Sequence, residues 1–179
     1  MKNFVALTMA ALLAGCSTYM PQRYSTAADN VVAIRALNLN GVNVGTFTTT
    51  VKVDNACRGA GPIAPPDNMS FESYIQKALA DELKLAGAFD SKSPRVTLAG
   101  VLTKIDFSSS KGLTGGEWNL ALDLKSSNGK SVSANETYNF NSGFAADTAC
   151  KQTAEAFLPA TQNLLAKLIN NSGFKALLQ

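Results

Sequence analysis

Apolar positions change their spacing several times along the chain, and each change marks an element. The run Val31-Val32-Ala33-Ile34-Arg35-Ala36-Leu37-Asn38-Leu39 is rich in β-branched residues and predicts a first strand, which Gly41 ends. Residues 46 to 54 alternate, with Phe47, Thr49, Val51 and Val53 on one side and Thr48, Thr50, Lys52 and Asp54 on the other. That period of two predicts a second strand, paired with the first. The stretch from Arg58 to Pro66 is broken by glycines and prolines and predicts an irregular loop. Ser70 then stands where an N-cap belongs, and Phe71, Ile75, Ala78, Leu79, Leu83 and Ala86 follow at helical spacing. The spacing predicts a helix over residues 70 to 86, with Gly87 as its C-cap and Phe89 just beyond.

After Pro94 the period returns to two. Residues 96 to 107 form a strand whose apolar face changes near Gly100, which predicts a bulge there. Trp118, Leu120, Leu122 and Leu124 alternate with polar neighbours in the next strand. Asn128-Gly129 predicts a type I′ hairpin, because that turn needs positive φ at both central positions. The return strand, residues 131 to 140, points Val132, Ala134, Tyr138 and Phe140 inward. From Ala145 the helical period resumes, with Cys150, Ala154, Phe157, Thr161, Leu164, Leu165 and Leu168 on one stripe and Pro159 inside it, where a kink is expected. The fold class is therefore α+β. An antiparallel-dominated sheet of about four or five strands carries two helices on one face, in the order β-β-α-β-β-β-α.

The first residues obey a different logic. Lys2 precedes an apolar run from Phe4 to Leu13 that is too short to cross a bilayer, which takes about 20 residues. This is the layout of a secretory signal. The run ends in Leu13-Ala14-Gly15-Cys16, which resembles the lipobox of bacterial lipoproteins of the Gram-negative outer membrane. The resemblance implies cleavage before Cys16, a diacylglycerol thioether on its sulfur and an acyl group on its amine. One chain binds a membrane marginally, whereas three make a durable anchor. Ser17 in the second mature position implies sorting to the outer membrane, with the domain on its periplasmic face. Residues 1–15 are then a signal peptide, 16–29 a lipidated tether without periodicity, and 30–179 a single α+β domain.

Composition narrows the function. Sixteen Lys and Arg stand against thirteen Asp and Glu, a formal net charge of +3, with no block of either sign. Nucleic-acid binding needs a clustered basic face, so no such partner is expected. With Cys16 lipidated, Cys57 and Cys150 remain as an even pair in an oxidising compartment, and a disulfide between them is expected. The chain has no histidine, which removes the commonest general base, the commonest metal ligand and every Ser-His or Cys-His arrangement.

In layout the chain also resembles the lipopolysaccharide-assembly lipoprotein that plugs an outer-membrane barrel, together with related small envelope lipoproteins. The carrying segments are Ala80-Asp81-Glu82-Leu83-Lys84-Leu85-Ala86-Gly87, Val96-Thr97-Leu98-Ala99-Gly100 and Leu164-Leu165-Ala166-Lys167-Leu168. The second early strand and the loop at 42 to 67 depart from that layout. The resemblance implies architecture and compartment and no binding residue.

Candidate chemistry is sparse. Lys111-Gly112-Leu113-Thr114-Gly115-Gly116 lacks the end of a phosphate loop and joins two strands, so it reads as a hairpin. Asp81, Glu82, Asp106, Asp123 and Glu155 fall on polar faces as solvated surface, and no spacing among them calls for a metal. Glu136 shares a face with Val132 and Tyr138; edge exposure, a lysine partner or a backbone donor would each relieve the cost of burying it. Trp118, with Tyr138, Phe140 and Phe144, either belongs to the core or lines an apolar cavity. The 58-to-66 loop, with Arg58 and Ile63, is a candidate contact surface. The expected function is a non-enzymatic, membrane-anchored assembly or accessory factor with an envelope protein partner and no cofactor. The alternative is a module that holds a lipid or a peptidoglycan or other glycan fragment between sheet and helices beside Trp118.

Overall fold

The computed structural model describes residues 17–179; the signal segment and Cys16 lie outside the described residues. Helix α1 (Ala28–Ala36) leads into strand β1 (Val42–Thr49) and a two-stranded ribbon of β2 (Ala56–Cys57) and β3 (Gly61–Pro62). Helix α2 (Phe71–Ala86) precedes three long strands, β4 (Val96–Lys111), β5 (Gly115–Ser126) and β6 (Ser131–Asn141), and α3 (Ala146–Ile169) and α4 (Phe174–Leu177) follow. The main sheet has the order β1-β4-β5-β6. The expected meander of β4, β5 and β6 is antiparallel throughout, but β1 lies parallel to β4. The sheet is thus mixed. A parallel neighbour needs a crossover, and α2 supplies it by returning the chain to the end of the sheet where β1 began.

Three expectations from sequence are corrected. The run from Val31 is helix α1, not a strand. It buries Asn30, Val31 and Ile34 against the other helices, and this packing overrides the β preference of its valines. The early strand therefore has no upstream partner and pairs with β4 instead. The β4–β5 register shifts between Leu102 and Lys104 and again between Ser108 and Lys111, whereas beside Gly100 the extra residue belongs to β1, between Val44 and Phe47. Gly100 is small for another reason: a Cβ there would come within 2.7 Å of the Phe47 ring, which lies across it from β1. At the Asn128-Gly129 turn only Gly129 has positive φ (86°). Ser126 N–H donates to Lys130 O, closing a three-residue loop in place of the type I′ turn. Helix α4 has too few residues to show a period, and the pattern did not predict it.

Helix α2 runs as its caps dictate. Ser70 Oγ accepts from Ser73 N–H, and Gly87 takes φ 80° so that its N–H meets Lys84 O while Ala88 N–H meets Leu83 O. These two bonds close a Schellman motif, with Leu83 and Ala88 both buried beside it. Helix α3 continues through Pro159 without a break.

The core lies between the sheet and α2 and α3. Trp118, Leu120, Leu122 and Leu124 of β5 are all buried, facing the α3 stripe. The Trp118 ring lies 4.8 Å from both Phe107 and Phe157, and its Nε1–H donates to Thr153 O at 2.8 Å. Cys57 and Cys150 form the expected disulfide, with Cα atoms 5.8 Å apart, fastening the β2–β3 ribbon to the second turn of α3.

That bond spans 93 residues. In the chain-entropy account such a loop contributes about 4–5 kcal/mol, with measured losses of about 2–5 kcal/mol when native disulfides are removed. Replacing both cysteines (Cys57→Ser with Cys150→Ser) is expected to lower unfolding free energy by that amount. Urea denaturation followed by circular dichroism checks it.

Candidate functional site

The five residues singled out from the sequence do not converge on one site. Arg58 sits at the ribbon tip with φ 47°, and its guanidinium is used inside the fold. Nε donates to Ser109 Oγ at 3.0 Å, Nη1 to Phe144 O at 2.9 Å, and Nη2 to Ser109 O. Ser142 Oγ donates to the same Ser109 carbonyl at 2.6 Å. This clasp ties the ribbon to the end of β4 and to the loop before α3, leaving Arg58 few donors for a ligand. Ile63 is fully buried.

Trp118 belongs to the core. Phe71, Phe107 and Phe157 fill the space around it, so of the two readings the core holds, and no apolar cavity beside Trp118 is left for a lipid or glycan. Tyr138 is half-buried opposite Trp118 in the β5–β6 register. Glu136 is buried, and Lys167 Nζ lies 2.6 Å from its Oε2 while Asn163 Nδ2 donates to Oε1 at 3.3 Å. Its face was read correctly, and a lysine is what relieves the burial.

The expectation of a solvated surface fails at Glu82, which is fully buried. Its Oε1 accepts from Tyr24 O–H, from Ala27 N–H at 2.9 Å and from Asn30 Nδ2 at 3.4 Å. Its Oε2 has no hydrogen-bond partner. The signal for its burial lay in the spacing, because Glu82 is seven residues after Ile75 on the α2 stripe. The acid fastens the N-terminal segment, read as a tether, along the helices. Tyr74 O–H donates to Gln22 O at 2.8 Å and Gln162 Nε2 to Ser25 O at 2.8 Å. Tyr19 pairs with β3 through its N–H to Pro62 O at 2.9 Å and its carbonyl from Ala64 N–H at 3.1 Å. Over residues 17 to 27 the chain is therefore held on the domain surface.

An open groove of about 330 Å³ lies between the 49-to-55 segment, the end of the glycine- and proline-rich loop, and the first turn of α2. Val51, Val53, Ala64, Pro65 and Met69 give it apolar walls, and Asn55 and Glu72 stand among its polar groups. Its volume is at the small end of ligand sites, about 300–1,000 Å³. An apolar wall with polar groups and one carboxylate suits a short segment of another protein better than an enclosed small molecule. Among the described residues no group of three or more His, Cys, Asp or Glu could hold a metal ion. Also among them, no helix is long and apolar enough to cross a membrane.

No protein-family model matches the sequence, and no curated protein matches it. Several solved structures are similar to it at low identity. A Xanthomonas campestris protein of the DUF330 family is 12% identical, with 86% of this chain and 95% of that one covered and a TM-score of 0.49. A candidate lipoprotein of Caulobacter crescentus is 11% identical over 79% and 90%, with a TM-score of 0.44. The PelC dodecamer of Paraburkholderia phytofirmans is 16% identical over 69% and 89%, with a TM-score of 0.29. No function is carried from these likenesses.

Burial, and then the hydrogen bond to Glu82, push the Tyr24 hydroxyl far above its ordinary 10.0; burial does the same for Tyr74. Both folded-state values are raised, so the unfolded chain loses these protons first. The stability they contribute is complete below pH 10 and is lost as pH rises above it, by up to about 1.4 kcal/mol per pH unit for each tyrosine. Urea midpoints between pH 8 and pH 11 are expected to fall above pH 10. The fall should be shallower in the Tyr24→Phe, Tyr74→Phe double variant.

Proposed function

We propose that the chain is a lipid-anchored lipoprotein of a Gram-negative envelope, held through Cys16 on the periplasmic face of the outer membrane. It works there without catalysis, as an assembly or accessory factor for an envelope complex. The observation that carries this reading is Leu13-Ala14-Gly15-Cys16 closing a short apolar run behind Lys2. Support comes from the Cys57–Cys150 bond, which belongs to an oxidising compartment.

The groove between Val53 and Met69 is the surface assigned to the partner. It is formed by irregular backbone on a rigid scaffold, where recognition concentrates, and its small open shape fits an apolar side chain and its neighbours. Arg58 contributes indirectly, because its clasp holds the ribbon that leads into Ala64 and Pro65.

Two measurements test the reading. Mass spectrometry of the purified protein should find the N-terminal peptide beginning at Cys16 with a diacylglycerol and an acyl group, and Cys16→Ala should release the protein from outer-membrane fractions. A photo-crosslinking side chain at Met69 should give one dominant adduct with an envelope protein, and the same group at Val32 should not. An unmodified Cys16 would overturn the anchor; the absence of any Met69 adduct would overturn the accessory role.

A further inference from the structure

We infer that the end of the fold carrying Leu113 and Phe144 rests on the membrane that holds Cys16, with both side chains entering the bilayer interface. This deepens the lipid-anchor reading and rests on it. Leu113 and Phe144 are 83% and 85% exposed, the highest values among the large exposed apolar side chains. They lie at the same end of the sheet, since Ser142 N–H donates to Thr114 O at 2.8 Å and so joins the β4–β5 turn to the loop that carries Phe144. Single exposed apolar residues are ordinary, so the chain path must say whether this end meets a partner.

The path of the N-terminal segment selects the lipid surface as the occupant. From Tyr19 to Ser25 the chain runs beside α3 in the direction of that helix. Tyr19 O–H donates to Asp147 in its first turn at 2.9 Å, and Gln162, four turns later, donates to Ser25 O. Traced backwards, the segment therefore points to the end where α3 starts, immediately after Phe144. Arg58 completes the neighbourhood by donating to Phe144 O from the ribbon that Tyr19 joins. Tyr19 is three residues from Cys16, so the lipidated sulfur's own Cα lies within about 11 Å of a residue locked into the fold. A lipid held on so short a leash brings this end to the bilayer. Val32 and Leu85, 63% and 56% exposed, lie on α1 and the last turn of α2, away from the chain start.

Tryptophan quenching by brominated phosphatidylcholine tests the inference on the full lipidated protein reconstituted in vesicles. Trp118 is buried and gives a constant background, measured in the unsubstituted protein. Phe144→Trp and Leu113→Trp should each lose about half of the added fluorescence, as expected of an interfacial side chain. Lys130→Trp should lose almost none: it sits at the far end of β5, whose length places it roughly 35 Å away. A lipidated protein that floats with vesicles, yet whose tryptophans at 113 and 144 are quenched no more than the one at 130, overturns the inference and leaves the anchor standing. A protein without lipid on Cys16 whose tryptophan at 144 is still quenched removes the anchor and keeps the surface. If neither lipid nor quenching is found, both fail.

Discussion

The structure depends on one constraint, the need to cover a single apolar face of the β4–β5–β6 sheet. Trp118, Leu120, Leu122 and Leu124 follow one another along β5 on that face, and none is left in contact with water. Burying side chains of this size contributes about 1.5–3 kcal/mol each, so the sheet cannot stand without α3 across it. The indole brings a second demand, because a buried N–H needs an acceptor, and the Thr153 carbonyl of α3 provides one. That bond fixes how α3 sits over β5, and the rings of Phe107 and Phe157 pack to match.

Once α3 covers β5 and β6, the parallel strand β1 and the helix α2 cover the rest, and the surface of the helix layer becomes the next problem. Helix α1 and residues 17 to 27 occupy it. Glu82 organises this second layer, drawing a hydroxyl, a backbone N–H and a side-chain amide onto one oxygen. A carboxylate in such a place is costly unless donors meet it, and each donor comes from the segment it holds. The consequence is positional. The same layer leads back to Tyr19, whose backbone bonds to Pro62 and Ala64 hold the segment against the ribbon.

Two residues that look functional in the sequence are used internally. Arg58 stands in a glycine-rich loop, the usual setting of a recognition residue, but its guanidinium spans carbonyls of β4 and of the loop before α3. Trp118 was open to either reading and is core. Alternation gave its face, and only the position of Phe157 on α3 says whether that face is filled. The groove beside Val53 and Met69 could not be read at all, because it exists only where two separate loop segments meet the first turn of α2.

The sequence by itself determined the elements that local chemistry encodes: α2 from its stripe and both caps, α3 from its stripe, the three-stranded meander from its alternation, and the cysteine pairing from counting. The resemblance of Leu13-Ala14-Gly15-Cys16 to a lipobox is legible for the same reason, since such a signal is read as linear chain. Tertiary structure decided whatever depends on which surfaces meet. Val31 to Leu37 carry β preference but lie between helices, where a helical turn buries Val31 and Ile34 together, so packing outweighs propensity. The partner of β1 is decided by the crossover through α2, not by adjacency in the chain. Glu82 is the plainest case, for its position on the stripe could be counted, but the donors that make its burial tolerable come from residues 24 to 30, more than fifty positions away.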